Sequence, residues 1–354
     1  MIEGPIQTNN NGLVFYFDTK EPKSFIGKPT TNLLSNPTNE VIGTTSEFVQ
    51  YADLAPIFNT YGTSVTYSLS LDLKSKKAGS VYVYMQNGSW TKYSFVGQSV
   101  NADTVYKRFT FNGLTAAIST PTETQAILAF YGGYGSGVIA AIKNVQVEIS
   151  PAATPFVNGS RSNTQGLLDL TGGSTIDLTN AGYNTSSEIT FNGSSNYITT
   201  PTINLGNTFT ISAWFNSSGV AGDTVIVGTD ANGCDNWLGV YNGYLYGFVT
   251  QIADVNNFTF NGATALSNNQ WYHASIVVNV NTVTLYLNGK QDYTTTTAFT
   301  IGAWNGVFSI GRRCPAVAQR FFNGKIETVS MYNRALSASE ILRNFNSQRS
   351  RYSV

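Results

Sequence analysis

Between residues 283 and 289 the chain reads Val283-Thr-Leu-Tyr-Leu-Asn-Gly289, a pattern that leaves it little freedom. Val283, Leu285 and Leu287 alternate with Thr284 and Tyr286, the period of a strand with one buried face. Asn288-Gly289 supplies two residues that tolerate φ > 0, as a type I′ hairpin turn requires. Eleven Asn-Gly pairs run from Asn11-Gly12 to Asn323-Gly324. Hairpin signals at that density, between alternating runs, predict an almost purely β protein. One helix is predicted, where Ser337 and Glu340 have capping-box spacing and Ile341 and Leu342 begin an apolar face.

The hairpin is one of five phrases. Trp271-Tyr-His273 precedes it. Phe308-Ser-Ile-Gly311, Phe322-Asn-Gly-Lys-Ile-Glu327 and Met331-Tyr-Asn-Arg-Ala-Leu-Ser-Ala-Ser-Glu-Ile341 follow. In this order and at ordinary loop spacings, they resemble the LamG-like members of the concanavalin A-like lectin/glucanase superfamily. The resemblance implies a jelly-roll sandwich of two antiparallel sheets.

The start of the chain belongs to the same pattern. Gly12-Leu-Val-Phe-Tyr-Phe-Asp18 and Ser24-Phe-Ile-Gly-Lys-Pro-Thr-Thr31 resemble the opening of LamG-like proteins of phage and bacterial origin. Their usual continuation is delayed until Gly166-Leu-Leu-Asp-Leu-Thr-Gly-Gly173 and Ile189-Thr-Phe-Asn-Gly-Ser-Ser-Asn-Tyr-Ile198. A second domain is therefore expected inside the first, since insertions are tolerated at surface loops whose ends lie close together. In the insert Tyr67, Leu69, Leu71 and Leu73 alternate with Ser68, Ser70, Asp72 and Lys74 as a strand. Its opening, Asn32-Leu-Leu-Ser-Asn-Pro37, resembles galactose-binding-like, carbohydrate-binding-module jelly rolls. Its close, Ile142-Lys-Asn-Val-Gln-Val-Glu-Ile149 then Ala153-Thr-Pro-Phe156, is similar to modules on phage tail and fibre proteins. The expected architecture is all-β: two antiparallel jelly-roll β-sandwiches, one inserted into the other, with a short C-terminal helix. Residues 1–31 plus 159–348 would form the LamG-like jelly roll, 32–158 the insert and 349–354 a tail.

Composition narrows the function classes. Charged residues are 11% of the chain, with 20 basic and 20 acidic side chains, so polarity rests on Ser, Thr and Asn. There is no basic stripe to support nucleic-acid binding, and no run of 18 apolar residues to insert in a membrane. Met1-Ile-Glu-Gly-Pro has neither a basic nor an apolar signal region, so export by an ordinary signal peptide is not expected. Cys234 and Cys314 could form one bridge, but two free thiols in a reducing cytosol are the favoured expectation.

Retaining glucanases on this sandwich need two carboxylates about 5 Å apart across the glycosidic bond. No Glu-x-Asp-x-x-Glu cluster occurs, and Glu327 and Glu148 are expected to be structural. His273, the only histidine, is expected to be structural beside Trp271. Two Cys and one His lack zinc spacing. No cofactor is required. Calcium is the one metal considered, at Asp230, Asn232, Asp235 and Asn236, because this hard cation takes oxygen ligands. A turn-rich loop capping its own backbone explains the same residues.

Sugar binding needs aromatic faces for the apolar side of a pyranose and short polar groups for its hydroxyls. Two clusters qualify. One is Tyr82, Tyr84, Trp90 and Tyr93 with Tyr131 and Tyr134. The other is Trp237, Tyr241, Tyr244 and Tyr246, with Trp304, Arg312 and Arg313 as candidate neighbours. Tyr82 and Tyr84 share one strand face opposite Val81, Val83 and Met85, so one set should point outward.

The expected function is a non-enzymatic bacteriophage virion structural protein at the particle surface, made in the host cytoplasm. It would be a fibre or tail component or a capsid decoration, with capsid or tail proteins as partners and host-surface glycans as weak ligands. A homo-oligomer is expected, with a trimer as the usual fibre state, though no heptads enforce one. The alternatives are an exported carbohydrate-binding adhesin and, more distantly, a polysaccharide-degrading enzyme.

Overall fold

The computed structural model describes residues 10–86, 93–118, 125–229, 236–251, 256–314 and 316–354. The chain divides into two compact units. The first takes residues up to 28, 163–184 and 188–354; the second takes 29–162 and 185–187. The cut falls a few residues outside the expected boundaries, because Thr30–Thr31 pairs with Ser160–Arg161 and both strands stay with the second unit.

The first unit is a lectin-like jelly roll. Its larger sheet runs Gly182–Tyr183, Ile189–Asn192, Asn323–Tyr332, Thr208–Ser217, Trp271–Asn279, Thr282–Leu287, Lys290–Thr296. Leu13–Asp18 also pairs with Asn323–Tyr332, Phe15 opposite Met331 and Phe17 opposite Val329. The smaller sheet runs Ile198–Asn204, Asn305–Ile310, Asp223–Thr229, Asn236–Tyr241, Tyr244–Thr250, Asn257–Ala265. Alternation decides which side chains meet. Phe15, Phe17, Ile211, Phe215, Ile276 and Leu285 from one sheet join Leu238, Val240, Leu245, Val249 and Ile310 from the other in one buried cluster. Asn288 and Gly289 adopt φ of 49° and 77°, the left-handed pair that the hairpin reading required.

The predicted helix spans Ala338–Gln348, with the capping box between Ser337 and Glu340 present. Residues 349–354, expected as a tail, are not one. Arg349–Tyr352 is a 3₁₀ turn, Tyr352 stacks on Trp214 with centroids 4.0 Å apart, and Arg351 Nη2 donates to Asp18 Oδ1 at 2.8 Å. Burying that aromatic ring and pairing that carboxylate is what orders the end of the chain.

The second unit is a sandwich of two four-stranded antiparallel sheets. One runs Phe48–Asp53, Ile127–Tyr131, Gly79–Gln86, Gly97–Ala102; the other runs Val41–Ile42, Ala140–Glu148, Tyr67–Ser75, Lys107–Leu114. Leu69, Leu71, Leu73, Phe111 and Val147 pack with Val81, Val83, Leu128 and Phe130. One short helix not expected from the sequence, Ala55–Tyr61, carries Pro56 in its first turn and buries Ile57 and Phe58. Among the described residues, no helix is long and apolar enough to cross a membrane.

Candidate functional site

In the second unit, Val81 and Val83 are fully buried, so the period of 2 turns Tyr82 and Tyr84 to solvent. Tyr82 is 41% exposed. Their rings stack with centroids 5.1 Å apart and planes 20° from parallel. Tyr131, 39% exposed, sits directly across from Tyr82 in the ladder. Phe48 lies across from Tyr131 on the next strand. Burial, then the neighbouring phenols of Tyr131 and Tyr82, push the Tyr84 hydroxyl above its ordinary pKa.

Polar groups border these rings. Gln50 and Gln86 join amides at 3.3 Å over the strand between them, and Ser99 faces Tyr82 across the ladder. A Cβ at Gly97 would lie 3.0 Å from the Tyr82 hydroxyl, the movable end of that side chain. The Tyr131 hydroxyl accepts from the Tyr134 backbone N–H at 2.8 Å, holding the Gly-rich loop against the sheet. Tyr134 itself is 95% exposed. The Tyr93 backbone pairs with Ile118; its side chain, and Trp90, lie outside the described residues. Phe48, Gln50, Gln86 and Ser99 were missed from sequence. The alternation of Phe48 and Gln50 with Val49 puts the first two on one outward face, and the register with Ile127–Tyr131 brings that face beside the tyrosines.

The other expected cluster is arranged differently. On Asn236–Tyr241, Leu238 and Val240 enter the main core, while Trp237 and Tyr241 face away from it. Trp237 is nonetheless buried. Phe248 stacks on it at 4.4 Å with planes 12° apart, and the guanidinium carbons of Arg320 and Arg313 lie 4.5 and 5.3 Å from its ring centre. Both ring faces are therefore occupied, which removes Trp237 as a sugar platform. Tyr241 and Tyr244, paired across the hairpin, are more than a third exposed. Tyr246 is nearly buried beside them. Trp304 is fully buried in the main core against Phe209, and Arg312 covers Tyr197. Neither joins the cluster.

Of the candidate calcium ligands, Asp230, Asn232 and Asp235 lie outside the described residues. Asn236 is fully buried and its Oδ1 accepts from the Thr250 backbone N–H at 3.0 Å, so it serves the sheet. Among the described residues no group of three His, Cys, Asp or Glu side chains could hold a metal. Cys314 is disulfide-bonded, which overturns the expectation of free thiols. The chain has one other cysteine, Cys234, outside the described residues.

Groups suited to acid–base chemistry are used structurally. His273 is enclosed by Trp214 and Phe345, and burial pushes its pKa down to about 3, so it is neutral. Lys20 bonds Glu188 and lies 3.4 Å from Glu327. Lys325 is 2.9 Å from Glu188. Hydrogen bonds from Lys20 and then Lys325 hold Glu188 down at about 2, while burial raises Glu327. A lysine thus occupies the space between this carboxylate pair.

Residues 192–342 match the family model described as the concanavalin A-like lectin/glucanases superfamily. No curated protein matches the chain. Among solved structures, the botulinum neurotoxin serotype D ligand binding domain in complex with N-acetylneuraminic acid aligns at 16% identity with a TM-score of 0.41, over 53% of this chain and 50% of that one. The binding domain of Paraclostridial Mosquitocidal Protein 1 aligns at 18% identity with a TM-score of 0.40, over 51% and 49%. Domain 4 of AbnA, an extracellular arabinanase from Geobacillus stearothermophilus in complex with arabinotriose, aligns at 19% identity with a TM-score of 0.39, over 51% and 91%. The aligned region spans about half the length of the two toxin domains. The five phrases and the two-sheet core they build agree with that match: the region 192–342 is similar to the concanavalin A-like lectin/glucanases superfamily.

Proposed function

We propose that this chain is a non-enzymatic carbohydrate-binding protein of a bacteriophage particle surface, a fibre, tail or capsid-decoration component. The observation that carries the binding reading is the outward face of Gly79–Gln86. Tyr82, Tyr84 and Tyr131 present adjoining phenol rings to solvent there, bordered by the Gln50 and Gln86 amides. Aromatic rings receive the apolar face of a pyranose, and amides both donate to and accept from its hydroxyls. Exposed aromatic patches of this kind mark interaction sites. The non-enzymatic reading is supported by the neutral, enclosed His273 and by the lysine between Glu188 and Glu327. The virion reading rests on the likeness of the Val145-Gln-Val-Glu148 and Ala153-Thr-Pro-Phe156 close to modules on phage tail and fibre proteins, and on the charge-poor, Ser/Thr/Asn-rich sequence.

A glycan array probed with the full chain tests the binding. Signal on neutral glycans should fall about tenfold in a Tyr82→Ala, Tyr84→Ala double variant, about 1.4 kcal/mol of binding free energy. It should persist in EDTA, since none of these groups needs a metal. An array on which the double variant keeps its signal sinks the site. Labelled antibody and electron microscopy of phage particles test the location, and particles that carry no label overturn the virion reading.

A further inference from the structure

The outer face of the smaller sheet in the first unit holds three polar atoms whose chemistry is unmet. Asp223 pairs with Tyr241 across the ladder, and Tyr241 with Tyr244. Trp237 and Tyr241 flank Gly239 on one strand face, and Gly239 places no side chain between them. Arg320 lies over Trp237 and holds Asp223 through Nε and Oδ2 at 3.3 Å. Arg313 adds a second guanidinium over the same ring. It reaches that position because Gly228 lets the chain cross, since a Cβ there would meet the Arg313 carbonyl at 1.7 Å. Trp237 Nε1, Arg320 Nη1 and Asp223 Oδ1 are all buried without a hydrogen-bond partner.

Each such group costs about 1–3 kcal/mol, and finding three on one face calls for an explanation. Arg320 also adopts a left-handed backbone, φ 57°, as its carbonyl accepts from Val225 N–H. Strain and unmet polar groups at one place are the marks of a ligand site. The three atoms define what would satisfy them. Arg320 Nη1 and Trp237 Nε1 donate only, and a guanidinium fork suits a carboxylate. Asp223 Oδ1 accepts only, which suits a hydroxyl. Tyr241 and Tyr244 leave ring surface exposed alongside for the apolar face of a ring.

We propose that this face binds a carboxylate-bearing sugar. Its carboxylate would be taken by Arg320 and Trp237 Nε1, a hydroxyl by Asp223, and its ring would lie against Tyr241. Such a site is separate in residues and in ligand chemistry from the tyrosine face of the second unit, and stands or falls without it.

Calorimetry of the full chain with glucuronic acid and with glucose tests this, since the two differ by the carboxylate. Glucuronic acid should bind at least tenfold more tightly, and more weakly as salt is raised. Arg320→Gln should lower its affinity at least tenfold, with Arg320→Lys between, because lysine keeps the charge and loses the fork. The lysine variant also serves if Arg320→Gln fails to fold. Equal binding of the two sugars, unchanged affinity in both Arg320 variants, or displacement by equimolar inorganic sulfate, meaning a bare anion site, would each overturn the proposal.

Discussion

Tyr82 and Trp237 occupy the same kind of position. Each sits on a strand of a jelly roll, alternates with core residues and faces away from the core. Tyr82 is open to solvent, whereas Trp237 is covered by two arginines and Phe248. Trp214 carries the contrast furthest. It faces away from the core of the larger sheet and is fully buried under Phe345 and Tyr352. Alternation therefore decides which side of a sheet a residue takes. What crosses that side afterwards decides whether the residue is a binding surface, a charged pocket or a second core.

The covered extreme should break most expensively. Trp214 stacks on Tyr352 at 4.0 Å and on Phe345 at 5.6 Å, so Trp214→Ala should cost about 3–5 kcal/mol, the range for a buried Trp. Denaturant unfolding of the full chain measures this. A loss below about 1 kcal/mol would mean that the C-terminal segment contributes little to holding the sheet.

The next effect depends on pH. His273 lies under the same segment, with a folded pKa of about 3 against an ordinary value of 6.5. The unfolded chain takes the proton first, so the stability of the neutral ring is complete above pH 6.5 and is lost as pH falls toward 3. The slope is about 1.4 kcal/mol per pH unit at full effect. Glu188, held at about 2 from 4.5, loses its contribution only below pH 4.5, and Glu327, raised by burial, is common to wild type and variant, so pH 4.5–6.5 is the window for comparing the two. Stability of His273→Phe across that window should be flatter than wild type. An identical slope in both proteins would place the proton elsewhere.

Much of the fold was legible. The Val283–Gly289 hairpin, the capping box at Ser337 and the strand at Leu13–Asp18 are local patterns, and local patterns survive into the structure. Coverage was not legible. Arg320 lies in an irregular segment with no period, and the place of Arg313 over Trp237 depends on Gly228 admitting the chain. Arg349–Tyr352 read as a tail because a single turn has too few residues to show a face. Its order comes from Trp214 and Asp18, both far away in sequence. The tyrosine site was half legible: Tyr82 and Tyr84 follow from alternation, while Phe48 and Gln50 needed the register between strands.

At the open extreme, stability and binding should separate. Gly97→Ala puts a Cβ 3.0 Å from the Tyr82 hydroxyl. The phenol end of a solvent-facing side chain can swing away, so stability should change by less than about 1 kcal/mol. Swinging away opens the stacked pair, however, and glycan binding should fall severalfold. An array in which Gly97→Ala binds as wild type would mean that the Tyr82–Tyr84 stack is not the recognised surface.

The smallest effect is the sharpest for the comparison. Tyr134 is 95% exposed, and what links it to Tyr131 is its backbone N–H, not its ring. Tyr134→Ala keeps that hydrogen bond, so stability should shift by no more than about 0.5 kcal/mol, as for ordinary surface positions. Any change in glycan binding then belongs to the phenol alone. If exposure on the loop is enough to make an aromatic side chain a ligand contact, binding falls. If the ring must be held by neighbours, as Tyr82 is by Tyr84, binding stays. The second outcome is expected, because an unsupported ring gives up rotamer entropy on binding that a stacked one has already lost in folding.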